Sequence, residues 1–425
     1  MSLTKITILL SLLVLSHQAE LHSFHLTNNV LSLEESEDST EIVSDHLVQP
    51  TQVFNRSSLQ SVSIINHNLT SIKEGTFDNF LNLTNLVLDN NQIDSLPRDL
   101  NLPNLRQLTF KNNKLVKLHN DSFVNLRNLQ ILKLDYNELG EIDPNAVAGL
   151  SNLKVLTLSH NKIEHLPKTV FVAVSGLVNL DIDNNFLTVI EETVFDSLEE
   201  LVTLNLKNNL IKTINGGAFR RLKALRDLNL AQNHLTKLEH DVFHHLAELD
   251  SLHLENNFLE ELPNGVFQDL GGVGRLLLTN NSVRELQKDV FVGLKQLRNL
   301  KADFNEIRVL EKGSFYGLPF CYDLNLSYNK IDHLPSGVFD GLENLEQLLL
   351  NGNKLSTLDV GAFTGLTALY ALNLENSKID DLDTLEELPK LRLIDLKGTK
   401  YNNMTSVNIG KYVFNVNKYN NWVLN

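Results

Sequence analysis

One cysteine, Cys321, stands in a chain of 425 residues. A lone thiol excludes intrachain disulfides as a source of stability, and with them any site built on paired thiolates. After the first twenty residues there is no run of about 18 consecutive apolar residues, the length a membrane-crossing helix needs. The sequence has no phosphate-binding glycine loop, no G-x-S-x-G elbow and no H-E-x-x-H pair, so the commoner catalytic signatures are missing. Cations are also scarce. Lys and Arg number 37 against 52 Asp and Glu, a formal charge of -15. That balance favours solubility and opposes nucleic acid or anionic membrane as a partner. Residues 20–50 hold no Lys or Arg but seven carboxylates, Glu20, Glu34, Glu35, Glu37, Asp38, Glu41 and Asp45. An acidic N-terminal flank over 20–54, poorly ordered, is expected from that composition.

What precedes the flank is an address. Lys5 is followed by an apolar run from Ile6 to Leu15, then by small residues at Ser16 and Ala19. This is the layout of a cleaved signal peptide, residues 1–19, with cleavage after Ser16 or Ala19. The ending "NVNKYNNWVLN" lacks the parts of a lipid-anchor signal. A secreted, extracellular protein is therefore expected. Sequons at Asn55, Asn68, Asn82, Asn120, Asn280, Asn325 and Asn403 agree with that route and are the candidate glycosylation sites.

The rest of the chain repeats. "LTNLVLDNNQI" begins at Leu83, "LRQLTFKNNKL" at Leu105, and the frame recurs to Leu369 with a step of 24 from Leu105 onward. A degenerate copy starts at Leu59 and a truncated one at Leu391, making fifteen units. In each, the fourth and sixth residues are apolar and alternate with polar ones, which is strand periodicity. Strands that recur in one direction at a fixed step can stack only as a parallel sheet, with the remainder of each unit travelling back. Eighteen residues after the start of most units stands a Phe, from Phe77 to Phe363, which a single unit cannot bury alone. The ninth position is Asn from Asn91 to Asn353. There an inward amide can satisfy backbone groups that the turn leaves without partners. His67, Ser377 and Thr399 replace it at the two ends, where atypical units are expected.

The unit "LNLSYNKIDHLPSGVFDGL" resembles the typical class of extracellular leucine-rich repeats, as found in Toll-like receptor ectodomains and in many secreted or cell-surface proteins. The resemblance covers about residues 55–400. It implies an α/β repeat fold, a curved leucine-rich-repeat solenoid of about 15 repeats of 24 residues with a parallel sheet on its concave face, and a cap or tail over 401–425. In the family, variable strand residues on the concave face commonly bind proteins. Cysteine-rich caps and an intracellular signalling domain are absent here.

That frame assigns the tempting residues. Cys321 occupies the first core position of its unit, where Leu297 and Leu345 stand in others, so packing is expected rather than nucleophilic or disulfide chemistry. His240, His244, His245 and His253 fall on two sides of the repeat and cannot converge on zinc. Asp181 and Asp183 form a carboxylate pair on the strand face. A glycosidase would use such a pair, but nothing closes a pocket around it, and Lys207 shares the column in the following unit. No enzyme activity, cofactor or metal is expected. The candidate binding residues are Asp135, Tyr136, Asp181, Asp183, Asp227, Glu255, Phe304 and Tyr328, with Phe186, Leu210 and Phe258 as a second, apolar group. Aromatics beside charge suit a protein interface, while solvated columns are the plainer alternative. The expected function is recognition of an extracellular protein or glycoconjugate with a basic surface. Two roles stay open: an immune-related soluble binder, such as a decoy for Toll-like signalling, and a matrix or adhesion component.

Overall fold

The computed structural model describes residues 24–27, 30–33, 60–66, 68–72, 77, 80–97, 100–120, 122–410, 412–416 and 422–424. The signal segment, Asn55, Leu59 and His67 lie outside them. Two compact units emerge, one of residues 1–187 with 197–201, the other of residues 188–196 with 202–425.

In the first unit, six strands lie parallel: Ser61–Ile64, Asn85–Val87, Gln107–Thr109, Ile131–Lys133, Val155–Thr157 and Asn179–Asp181. Their registers place the fourth residue of each repeat side by side, Leu86 on Leu108, Leu132, Leu156 and Leu180. All five are buried while flanking strand residues are mostly half-exposed, so the alternation read from the sequence is the alternation observed. Within the acidic flank, Phe24–Thr27 and Val30–Leu33 pair antiparallel, and the second runs parallel to Ser61–Ile64. Eight residues of the flank expected to be poorly ordered are thus placed in strands. "FHLT" and "VLSL" carry the alternating apolar pattern that suits an edge strand, and they meet the otherwise open edge of the first repeat.

Nine strands make up the parallel sheet of the second unit, from Thr203–Asn205 to Leu393–Asp395, again with matched fourth residues from Leu204 to Ile394. Its last edge is closed by three further described strands. Trp422–Leu424 pairs antiparallel with Leu393–Asp395, and the hairpin Ser406–Ile409 and Tyr412–Val416 extends it. Return legs are turns and two-residue strands, such as Lys117–Leu118 paired parallel with Glu141–Ile142, with 3-10 segments at Val172–Val174 and Asp383–Glu387 and no α-helix among the described residues.

Two interior columns hold each stack. The Phe side chains from Phe123 to Phe363 are fully buried, and in the second unit neighbours such as Phe243 and Phe267 stack with centroids 6.3 Å apart. The Asn column supplies the polar counterpart. Asn161 donates to the carbonyls of Leu158 at 2.9 Å and Leu134 at 3.0 Å, and its Oδ1 accepts the Leu139 N–H at 3.0 Å. One amide thus satisfies buried backbone groups in its own repeat and in the preceding one. Cys321 is fully buried, and burial pushes its thiol up to about 12, so the thiolate does not form at neutral pH.

Candidate functional site

With the fourth and sixth residues committed to the core, the third, fifth and seventh face outward from the strands. The eighth ends the strand in a conformation that periodicity alone does not reveal. It has a left-handed backbone in every repeat, with φ between 51° and 70° from Asn66 to Gly398. Asn or Gly fills ten of these fifteen positions, as the conformation prefers. Tyr136, His160, Gln232, Phe304 and Tyr328 fill the others, and a bulky side chain there is strained by about 1–3 kcal/mol. Four of these five stack in pairs, Tyr136 on His160 at 4.1 Å and Phe304 on Tyr328 at 4.5 Å, with interplanar angles of 9° and 11°. Tyr136, Phe304 and Tyr328 are 54%, 50% and 47% exposed. The sequence signal was available: an Asn-rich column interrupted by aromatics.

The predicted acids fall in both units. In the first, the seventh-position column runs Asp89, Lys111, Asp135, Ser159, Asp183. Asp135 is only 4% exposed. Its Oδ2 lies 2.7 Å from Lys111 Nζ, and its Oδ1 accepts the Ser159 N–H at 3.2 Å. Asp135, expected to face a partner, is buried and paired with a lysine 24 residues earlier. Asp181 and Asp183 flank the buried Ile182 on one strand face, both half-buried. Asp181 Oδ1 accepts the Asp183 N–H at 3.2 Å. Burial first, then the Asp183 charge and more weakly that of Asp135, raises the Asp181 carboxyl above its ordinary value. The bond from Asp183 and the neighbouring Ser159 hydroxyl oppose the rise. Nearby, Asp183 Oδ1 and Thr157 Oγ1 are buried without closing a hydrogen bond of good geometry.

The second unit holds Asp227 and Glu255. His253 Nδ1 lies 3.4 Å from Glu255 Oε1, and the hydrogen bond to Glu255 raises the imidazole above its usual value against the pull of burial. Here the acidic face is largely answered by its own histidine. His240, His244 and His245 touch edge to face at 5.6 and 6.2 Å on the return leg, away from the strand that carries His253. Among the described residues, no three His, Cys, Asp or Glu side chains are placed to hold a metal ion. Phe186 in the first unit, and Leu210 and Phe258 in the second, are exposed, Phe258 edge-on to His234 at 5.7 Å. Of the described sequons, Asn68, Asn82, Asn120, Asn280 and Asn403 are exposed. Asn325 is half-buried on its strand, its Oδ1 accepting the Ser327 N–H at 3.0 Å. No helix among the described residues is long and apolar enough to cross a membrane.

Comparison with known proteins gives one consistent result. The profile of the leucine rich repeat family matches residues 100–139, 127–181, 175–235, 201–259, 225–283, 247–307, 303–355 and 349–400. A leucine-rich-repeat protein of Leptospira interrogans superposes with a TM-score of 0.65 at 30% identity, over 81% of this chain and 92% of that one. Toll-like receptor 13, solved with a single-stranded RNA, gives a TM-score of 0.71 at 24% identity, over 81% of this chain and 51% of that one. Drosophila Toll, solved with Spatzle, gives 0.64 at 24%, over 76% and 48%. The chain spans about half the length of these two receptors. No curated relative matches the sequence.

Proposed function

Because the chain belongs to the leucine-rich-repeat family, we propose that it is a secreted, non-enzymatic recognition protein that binds an extracellular protein or glycoconjugate with a basic surface through the strand face of its first unit. One observation carries this reading: two adjacent carboxylates, Asp181 and Asp183, are held half-buried, and among the described residues no ion pair reaches either. A fold gains nothing from such a pair, whereas a basic partner would meet its charge and be steered toward it. The overall charge of -15 disfavours the RNA bound by Toll-like receptor 13, so a protein or glycoconjugate is the better class. The likeness to Toll-type structures supports a soluble binder or decoy in innate immunity over a matrix component.

The test begins with capture from body fluid by the purified protein, followed by mass spectrometry. Surface plasmon resonance against the recovered partner then compares the chain with Asp181→Asn/Asp183→Asn at low and high salt. Association slows in the double variant and weakens with salt. An unchanged on-rate with no salt dependence refutes the acidic face and directs attention to Phe186, Leu210 and Phe258.

A further inference from the structure

Beside the first core leucine of successive repeats in the first unit runs a groove of about 550 Å³. Asn82, Asn104, Asn128 and Asn152, each immediately before such a leucine, form one row of its lining, and Arg106 and Gln130, each immediately after one, belong to a second. Among the described residues no carboxylate lines it, although the chain carries a net charge of -15. Asn82 also opens a sequon, Asn82-Leu83-Thr84. We propose that this groove seats the first sugars of an N-glycan carried by Asn82 of the same chain. This inference rests on the secretory part of the proposed function and is independent of the acidic pair.

The lining offers both halves of a sugar's hydrogen bonds. Asn104, Asn128 and Asn152 each donate Nδ2 to a backbone carbonyl of the preceding repeat, those of Leu81, Pro103 and Arg127, at 2.8–2.9 Å. Those bonds fix the amides, while their Oδ1 atoms accept no hydrogen bond among the described residues. The result is a row of oriented acceptors about 4.8 Å apart, the spacing of the strands, which is close to the repeat of a chain of pyranose rings. Sugar hydroxyls donate to such a row. Arg106 and Gln130 supply the donors. Both are exposed, and neither side chain makes a hydrogen bond or ion pair among the described residues, so they are open to sugar oxygens and to an N-acetyl carbonyl. Position favours a sugar that the chain itself carries. Asn104 bonds the carbonyl next to Asn82, and the Arg106 N–H donates to the Thr84 carbonyl at 2.7 Å, so an acceptor and the guanidinium stand one strand gap from the attachment point. A sugar joined to Asn82 starts within the groove, because Asn82 is part of its wall. That tether raises its effective concentration far above that of a free oligosaccharide. None of the other described sequons lines this groove.

The test expresses the full chain in cultured insect cells, maps the occupied sequons by mass spectrometry, and follows release of each glycan from the native protein by a peptide N-glycosidase. Asn82 is expected to be occupied, and its glycan to leave about tenfold more slowly than those at the other occupied sequons, as one or two net hydrogen bonds to the sugar would give. Denaturing the protein abolishes the difference. Arg106→Ala/Gln130→Ala speeds release at Asn82 severalfold and leaves the other sites unchanged. Asn82 unmodified while other sequons are occupied overturns the inference and leaves secretion standing. No sequon occupied overturns both. An Asn82 glycan released from the native chain as fast as the rest, or as slowly in the double variant as in the unmutated chain, shows that the groove does not hold it, and a free chitin oligosaccharide that then binds there reassigns the groove to an external sugar. The comparison between sites on the unmutated chain requires no variant to fold.

Discussion

Two aromatic columns run along the second unit, and they differ in what they do for it. The inner one, including Phe243, Phe267, Phe291 and Phe315, is fully buried and stacked at 6.1–6.3 Å, with ordinary backbone. The outer pair, Phe304 and Tyr328, is half in water and sits on left-handed backbone at φ 53°. The inner rings stabilise the stack because each repeat covers its neighbour's ring. The outer rings occupy positions that Asn or Gly would fill at lower cost, so folding alone does not account for them. In the first unit, Tyr136 and His160 repeat the outer arrangement beside the acids.

Breaking the inner column gives the largest effect. Phe243→Ala is expected to lose roughly 3–5 kcal/mol of stability in denaturant unfolding. The exposed Lys237→Ala should stay within about 0.5 kcal/mol. Comparable losses would show that the Phe column is not the core. Next comes the polar column. Asn257 accepts the Leu235 N–H at 3.0 Å and donates to Leu230 and Leu254 carbonyls at 3.0 and 3.1 Å. Asn257→Ala leaves these buried groups unpaired and should cost about 2–3 kcal/mol, read from the same unfolding curves. An unchanged midpoint would mean that the amide ladder is incidental.

The outer column can be sharpened at Gly352, the glycine that follows Tyr328 in it. Its φ is +70°, and a Cβ there would come within 2.6 Å of Tyr328 Cδ1. Gly352→Ala should cost about 1–2 kcal/mol and displace the Tyr328 ring, visible as altered near-ultraviolet circular dichroism. A neutral, spectroscopically silent Gly352→Ala would show that the ring is not held over that backbone.

Legibility in the sequence followed periodicity. Leu86, Phe243 and Asn161 recur at a fixed step, so their burial and the parallel sheet could be read from spacing, and Cys321 could be placed by its register. What depended on neighbours 24 residues away could not be read one repeat at a time. Lys111, for example, neutralises Asp135 across one strand gap. Tyr136, Phe304 and Tyr328 were legible as exposed aromatics. Their strain was not, because the left-handed turn is a property of the eighth position and appears only when all repeats are aligned on it.

On the proposed function, Asp181 is kept for binding against the interest of the fold. Its carboxyl is raised above 3.8, with burial as the largest cause. The folded state therefore holds the proton more tightly than the unfolded one. The associated stability is fully present below the ordinary carboxylate value and is lost as pH rises through the folded value. Near neutral pH the charged group opposes folding. The direct measurement is the thermal unfolding midpoint of Asp181→Asn against the unmutated chain, at neutral pH and in acid. The variant is expected to show a higher midpoint at neutral pH, with the gap closing on acidification. A lower midpoint at neutral pH would contradict it, since Asp181 would then be a structural carboxylate.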